Sequence, residues 1–524
     1  MRERSRLNDW LAALSLSNLV FLSSWTSLLG MNQNNLFYLN RAPSPAHYYS
    51  LMLDVLVVGA CFYGVAGLLH RRVWWAVRLL PAAGILLLFP MVNSLAEAIS
   101  DPGSWMVLRF VVEHTLKTFG LLAVALLAAL LIGGIRTMRP VYHLLKIVSP
   151  LVLFTFGQSV YHLAAYQPNT PVQGALAPRL AAKAAGSPRV LWLIFDEWDP
   201  ELSFTERPSR IQLPEIDRLR AGAFFATRAV RPNRDTILSM PALTTGRDVE
   251  AVRTNGPSEL MIRFKGASAP VEWSRQDNVF REARKLGFNT AVAAWALPYC
   301  RVMKDDLSEC AWWSDPAPIN NLGEKFPEMF VNQLRGLYET ENHSPFGLSL
   351  SARRHLEVAQ AVQAKSVEVA RDATVGLALL HLPVPHSPFF YNAATGRNDF
   401  GANGPGGMFQ RASQGYIDAL VLVDRSLGEL RRSMEQAGTW DTTTVIVSAD
   451  HPLRTRPGFD GHPVSRYVPF LVKLAGPAQA REYTAPFQTL LTKELILAML
   501  RGEISRTEQL AAWVDAHRAE FPAE

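Results

Sequence analysis

The sequence predicts a chain built for two solvents. An N-terminal α-helical transmembrane bundle of about five helices precedes a C-terminal α/β domain with a central, largely parallel sheet between helices. Three observations carry this. Long apolar runs with few charges crowd the stretch from Leu11 to about Tyr166. From about Pro188, strand-like and helix-like segments alternate, the pattern of an α/β domain. Acidic and histidine side chains recur just past the ends of the strand-like runs, where such sheets bind ligands.

Five apolar segments lie near 10–30, 50–69, 77–97, 106–135 and 141–166, and about 20 apolar residues span a bilayer as a helix. The first is too long for a cleaved signal and no small-residue cleavage site follows it. Pro81 and Pro90 predict a kink in the third, while Glu113, His114 and Lys117 put the start of the fourth outside the hydrocarbon. Arg2, Arg4 and Arg6 precede the first segment, Arg71, Arg72 and Arg78 follow the second, and Arg136 and Arg139 follow the fourth. The loop around Ser94–Trp105 carries Glu97 and Asp101 but no Lys or Arg. Positive charge marks the inner side, so the N-terminus is expected inside and the domain after the fifth crossing outside. The expected division is a transmembrane domain over 1–167, a Pro-, Ala- and Gly-rich linker over 168–187, and a soluble domain over 188–524. This layout points to a multi-pass protein of a bacterial inner membrane with its soluble domain on the periplasmic side.

Composition narrows the function. With 49% hydrophobic and 19% charged residues, disorder is excluded for the bulk of the chain. The net charge of +6 comes without interleaved basic and aromatic residues, so nothing marks a nucleic-acid partner. Cys61 lies in an apolar segment, while Cys300 and Cys310 flank the loop-like "YCRVMKDDLSEC". A disulfide there suits an oxidising compartment, the alternative being two unrelated thiols.

In the soluble part "RVLWLIF" (189–195), "AFFATRAV", "FNTAVAA", "ATVGLALLHL" (373–382), "TTVIVSA" and "YVPFLVKL" read as strands. "LPEIDRLRAG" (213–222), "NVFREARKLG" (278–287) and the stretch 414–438 read as helices closed by glycine. Polar residues cluster at the strand ends: Asp196 and Glu197, His381 and His386, then Asp450 and His451, with His462 just before a strand and Thr236 in "RPNRDTILSMPALTTG". A single Asp at a strand end is more often a cap or turn former, a lone His a satisfied structural residue, and a lone Thr nothing special. The combination is what counts. Mixed carboxylate and imidazole ligands suit a divalent metal, zinc or manganese.

The segments "VLWLIFDEWDP", "LPEIDRLRAGAFFATRAV", "DTILSMPALTTG", "FREARKLGFNTAVAAW", "YIDALVLVDRSLGELRRSMEQAGTWDTTTVIVSADHP" and "GHPVSRYVPFLVK" resemble, in order, the motifs of the sulfatase and alkaline-phosphatase superfamily. With apolar helices in front, the whole chain is similar in layout to lipoteichoic acid synthases and phosphoethanolamine transferases. The resemblance implies that Asp196, Asp450 and His451 bind the main metal and that Thr236 is both ligand and nucleophile. It implies that Glu197 assists, leaving open which carboxylate ligates. It also implies that His386 and His462 serve a second metal or the transferred phosphate, and that His381 contacts substrate. Arg231, Arg234 and Arg466 are candidates for charge stabilisation, with Arg234 expected at the substrate.

Three positions depart from the family pattern. Thr236 is followed by Ile237 and Leu238 rather than by the sulfatase Pro-x-Arg, which argues against an ordinary sulfatase. Leu382 stands where alkaline phosphatases carry an Asp, which argues against a full second zinc site. Pro452 replaces the usual Gly after Asp-His. In the nucleophile segment, Pro241 and Gly246 mark the expected helix start and following loop. The reading these motifs favour is a membrane-anchored transferase. It moves a phospho-headgroup from a phospholipid donor to an envelope glycan or lipid acceptor through a phosphothreonine. A phosphodiesterase or phosphatase of the same fold is the nearer rival, and a non-catalytic regulatory module the more distant one.

Overall fold

The computed structural model describes residues 2–70, 139–166, 175–184, 186–315, 319, 322–323, 325–339, 344, 347–399, 408–454 and 465–521. Contacts divide the chain into two units, one of Met1–Met31, Ala42–Asn169 and Pro318–Thr340, the other of Asn32–Arg41, Thr170–Ala317 and Glu341–Glu524.

The first unit is helical. Pro45–Gly64 and Tyr142–Ala164 are long and apolar enough to cross a membrane. Arg6–Val20 and Leu22–Leu29 make a third span if the pair, bent by 66°, crosses as one. The expected spans near 77–97 and 106–135 lie outside the described residues. Phe21, Trp25, Leu28, Tyr48, Leu51 and Val55 form the packed centre. Some polar groups there pair internally: Thr155 Oγ1 donates to Asn18 Oδ1 at 2.9 Å, and Ser17 Oγ donates to the Val55 carbonyl at 2.7 Å, while both Asp54 carboxylate oxygens are buried without a hydrogen bond.

The second unit is an α/β domain. Its strands are β1 (Val190–Phe195), β2 (Phe224–Val230), β3 (Val249–Thr254), β4 (Leu260–Phe264), β5 (Val271–Glu272), β6 (Asn289–Trp295), β7 (Glu309–Trp313), β8 (Val375–Leu382), β9 (Thr444–Ser448), β10 (Tyr467–Lys473), β11 (Arg481–Tyr483) and β12 (Phe487–Gln488). Nine of them form one sheet in the order β11-β2-β10-β9-β1-β8-β6-β7, with β12 also on β2. β10 runs antiparallel to both its neighbours, and the rest run one way. β3, β4 and β5 form a small separate antiparallel sheet. Every residue of β1, β6, β8 and β9 is buried, which is why these runs are apolar throughout instead of alternating.

Helices cover both faces. On one side lie α1 (Pro214–Gly222), α4 (Leu350–Arg371) and α5 (Met408–Gln436); on the other lie α2 (Thr236–Thr245), α3 (Val279–Lys285) and α6 (Thr492–Leu500). Three of their starts, those of α1, α3 and α4, are set by side chains that satisfy free N–H groups. Asn278 accepts from the N–H of Phe280 and Arg281 at α3, and Ser349 accepts from Ala352 at α4. At α1 the acceptor comes from another helix: Asp424 Oδ1 of α5 takes the Glu215 and Ile216 N–H groups at 2.8 and 2.9 Å.

Cys300 and Cys310 form a disulfide. The neighbouring Arg301 is buried and donates from Nη2 to the Phe37 and Leu39 carbonyls, which fastens residues 32–41 to this unit.

Arg189 locks the non-functional edge of the sheet. Buried just before β1, it donates to the carbonyls of Val375, Val369 and Ala370 and to Thr443 Oγ1, all between 2.8 and 3.1 Å. Arg189→Leu removes all four bonds, although the Ala370 carbonyl keeps the Thr439 hydroxyl and the Val369 carbonyl keeps the Asp372 N–H. It is expected to lower unfolding free energy by about 2–4 kcal/mol, measured by denaturant titration of the purified protein.

Candidate active site

Strand register brings the acidic residues together. β1 and β9 pair in parallel with Ile194 opposite Ser448, so Asp196 and Asp450 each stand two residues beyond a matched pair. β8 flanks β1 on its other side with His381 opposite Ile194. Side chains alternate along a strand, so His381 points to the face that Asp196 shares with Ile194.

One oxygen each of Asp196 and Asp450 and one nitrogen of His451 lie within 4.8 Å of one another, and all three residues are buried. Among the described residues this is the one group of three or more side chains with metal-ligand spacing. Thr236 joins it: its Oγ1 lies 3.2 Å from Asp196 Oδ2 and 3.2 Å from His451 Nε2. His451 Nδ1 faces the Pro452 carbonyl at 3.0 Å. A carbonyl only accepts, so Nδ1 carries the hydrogen and the Nε2 lone pair faces the cluster. The His451 N–H donates to Asp450 Oδ1 at 2.9 Å, which leaves Oδ2 to face inward. Pro452 therefore keeps the required acceptor although the side chain departs from the family pattern.

His381 plays a different part. Tyr299 Oη lies 3.1 Å from its Nδ1, and burial followed by the Asp450 and Asp196 charges holds Tyr299 as a neutral phenol. The phenol can donate or accept, but the Asp196 carboxylate only accepts, so Nε2–H points towards Asp196 Oδ2 at 3.6 Å and Nδ1 accepts from Tyr299. His381 thus offers a proton to the cluster instead of a lone pair.

Charge is badly balanced. Burial opposes the Asp196 charge, but His386, His381 and His451 outweigh it and hold the carboxyl well below its usual range. Burial and then the Asp196 charge push Asp450 the other way, up. Asp196 Oδ1 and Asp450 Oδ2 are buried with no hydrogen-bond partner, as is His381 Nε2. Two converging carboxylates with free oxygens and an imidazole lone pair fit a divalent cation, which repairs both the repulsion and the missing partners.

Glu197 and His386 are joined by a residue that sequence reading missed. Arg454 Nε donates to Glu197 Oε1 at 2.6 Å, its Nη2 lies 2.7 Å from His386 Nε2, and its Nη1 lies 3.5 Å from Asp235. Glu197 is turned away from the metal-spaced group and spent on this pair. Its backbone sits at φ 63, left-handed for a non-glycine residue, held by the Tyr416 hydroxyl donating to its carbonyl at 2.7 Å. Burial disfavours the His386 cation, while Glu197 and Asp196 favour it more strongly and carry the imidazole up to about 9. The Arg454 contact uses the Nε2 lone pair and so competes with protonation of the ring. His355 of α4 was also missed: buried, it lies 2.7 Å from the Pro388 carbonyl and 3.0 Å from that of Pro383, and so braces the loop carrying His386. The signal for Arg454 was its place in "ADHPLR", three residues after His451.

Thr236 is the first residue of α2. Pro241 lies inside this helix and not at its start, and Gly246 ends it at φ 67. Asp235, the residue before, makes no side-chain cap; its carbonyl takes the Leu238 and Ser239 N–H groups, which leaves those of Thr236 and Ile237 beside the Thr236 hydroxyl. Arg231, Arg234 and Arg466 line a cavity whose described lining does not include Thr236. His462 lies outside the described residues.

Fold and site together define an enzyme of hydrolase or transferase type with a buried Asp/Asp/His group that fits a divalent metal. Residues 188–485 match the family model described as Sulfatase, and the chain belongs to that family, within the sulfatase and alkaline-phosphatase superfamily. No curated protein matches it. Among solved structures it is similar to a phosphonate monoester hydrolase of Agrobacterium radiobacter, with 15% identity over 60% of this chain and 74% of that one and a TM-score of 0.40. It is similar to a phosphonate monoester hydrolase from Silicibacter pomeroyi, with 14% identity over 60% and 73% and a TM-score of 0.39. It is also similar to a protein in the alkaline phosphatase superfamily from Vibrio parahaemolyticus, with 13% identity over 62% and 69% and a TM-score of 0.36.

Asp450→Asn and His451→Ala each remove one member of the group. Either is expected to weaken metal binding by more than about tenfold, checked by elemental analysis after dialysis. Wild-type metal content in the double variant would sink the assignment.

Proposed function

We propose that the chain is a membrane-anchored, metal-dependent transferase. It takes a phospho-headgroup from a phospholipid donor, holds it on Thr236, and passes it to an envelope glycan or lipid. The observation that carries this is the Thr236 hydroxyl at a helix start, 3.2 Å from both Asp196 and His451, in a chain that also carries membrane-length apolar helices.

A bound divalent cation, zinc or manganese on this donor set, would lower the pKa of the hydroxyl and neutralise phosphoryl oxygens. Asp196, Asp450 and His451 would hold it. The chain's own residues do the rest. Thr236 Oγ attacks phosphorus, its proton passes to Asp196 Oδ2, and the bond from phosphorus to the lipid oxygen breaks. Nε2–H of His381 faces the reacting group and can protonate the leaving oxygen or steady a phosphoryl oxygen. Arg454 and His386 offer charge and hydrogen bonds to the remaining oxygens. An acceptor hydroxyl then attacks phosphorus, its proton passes to His381 Nε2, and Thr236 Oγ leaves, taking back the proton held by Asp196. Water in place of that hydroxyl makes the same site a phosphodiesterase.

Thr236→Ala is expected to abolish turnover and any mass adduct on the peptide containing position 236 after exposure to whole-cell lipid, while the melting temperature stays within a few degrees. Thr236→Ser is expected to keep part of the activity, since the hydroxyl survives without the methyl that restricts its rotamer. Full turnover in a folded Ala variant would rule out the nucleophile. Mass spectrometry of the wild-type adduct names the transferred group, and release of free phosphate compound without a glycan acceptor would favour the hydrolase.

The same reading puts the α/β unit on the periplasmic side of a bacterial inner membrane, reached by five crossings. A reporter that works only outside the cytoplasm, fused after Glu524, is expected to be active. Activity of only a cytoplasmic reporter at that position would refute this topology.

A further inference from the structure

A cavity of about 950 Å³ opens where β2 ends and the loop to Thr236 begins. Five cations line it, Arg231, Arg234, Arg247, Lys265 and Arg466, against three carboxylates. The carboxylates leave the arginines uncompensated. Asp248 faces Lys265 at 3.7 Å, and Glu250 is taken by Arg263, outside the lining, at 2.8 Å. Only Glu520 remains, and among the described residues no carboxylate oxygen lies within 4.0 Å of Arg231, Arg234 or Arg466.

These three arginines are forced together. The Arg231 N–H donates to the Arg466 carbonyl at 3.1 Å, continuing the β2–β10 ladder past Val230. Arg231 Nη1 is buried with no hydrogen-bond partner. Burial first, then the Arg234 charge, disfavours its cation; Asp235 offsets part of this, and Arg466 adds to it. Like charges gathered with an unmet donor on a cavity wall are what a bound anion relieves. Guanidinium groups converging from several sides suit a tetrahedral oxyanion, which accepts at each corner.

The cavity is also placed to serve Thr236. Arg234 precedes it by two residues, at most about 7 Å of chain. β10 runs antiparallel to β9 with Phe470 opposite Ser448, so Arg466, four residues before that pair, lies about 13 Å past it at the sheet edge where Asp450 also lies. The volume exceeds one phosphate and leaves room for the sugar or glycerol that carries it.

We infer that this cavity is a second anion subsite, taking a phosphate or sulfate group carried on the same molecule whose reactive group meets Thr236. That the occupant is a substrate rests on the function proposed above; the anion site itself rests on the arginines. The substrate would then carry at least two anionic groups a few bonds apart.

The test uses the full chain in detergent, with Thr236→Ala and Asp450→Asn in the background to disable the metal site. Inorganic phosphate, inorganic sulfate and a short-chain phosphatidic acid are titrated by calorimetry. Adding Arg231→Gln with Arg466→Gln is expected to weaken phosphate binding by at least about tenfold. Should that pair fail to fold, Arg234→Gln alters an exposed side chain and is expected to weaken binding by about threefold or more. Tighter binding of phosphatidic acid than of phosphate, lost with the same arginines, assigns the group to a lipid headgroup. Equal binding assigns it to the oxyanion alone, and both support the site. Phosphate affinity that ignores loss of the arginines overturns it. Failure of the Thr236 chemistry would leave this binding untouched, so the two ideas fail separately.

Discussion

Two carboxylates, Asp196 and Asp450, are held with oxygens within metal-ligand reach of each other and almost no access to water. Left alone, that contact is repulsive, and most of the surrounding structure exists to impose it. Parallel pairing of β1 and β9 fixes both backbones in register, so neither residue can retreat without breaking the centre of the sheet. Local hydrogen bonds then aim the side chains. The His451 N–H takes one oxygen of Asp450 and turns the other inward, and the Pro452 carbonyl orients the imidazole. A cation completes an arrangement whose protein half is already rigid, which is the condition for a metal site that costs little reorganisation when it acts.

A second layer steadies the first without entering it. Glu197 follows Asp196 directly, and its left-handed backbone swings its carboxylate to Arg454 instead of adding a third negative charge to the pair. Tyr416, on α5, holds that backbone by its hydroxyl. Arg454 then reaches His386, whose loop is braced by His355. The result is a positively charged arm beside a negatively charged cluster, the polarity a phosphoryl group needs if its oxygens are to face one and its phosphorus the nucleophile.

What could be read from sequence follows physical range. The core strands were legible because strands buried on both faces must be apolar throughout, and the helices because amphipathic spacing and glycine stops are local. Asp196, Asp450 and His451 stood out because polar residues just past such a strand have one place to go, the sheet edge, and His381 because a histidine closes an otherwise apolar strand. Arg454 and His355 were not legible, since their roles depend on partners far along the chain, 257 residues away for Glu197 and 28 or 33 for the two prolines. The choice between Asp196 and Glu197 stayed open for a related reason: a single positive φ decides where each side chain points. The small sheet of β3, β4 and β5 passed unnoticed because its strands are short and half-exposed. Pro241 misled as a helix start because proline favours the first turn. Here α2 begins earlier, and a proline five residues in forfeits only one hydrogen bond of a short helix.

The order of strands gives the charge pattern its meaning. β2 and β10 carry the arginines past their paired ends, while β9 and β1 carry the carboxylates past theirs, and these four strands are consecutive in the sheet. With strands about 4.8 Å apart, the positive ends of β2 and β10 give way to the negative ends of β9 and β1 along one edge over roughly 15 Å. Because β10 alone runs the other way, it delivers Arg466 at its beginning to the same edge that its neighbours reach at their ends. A strand order with β10 parallel would send that residue to the opposite edge of the sheet. The one antiparallel strand therefore sets which charges a ligand meets beside the metal pair.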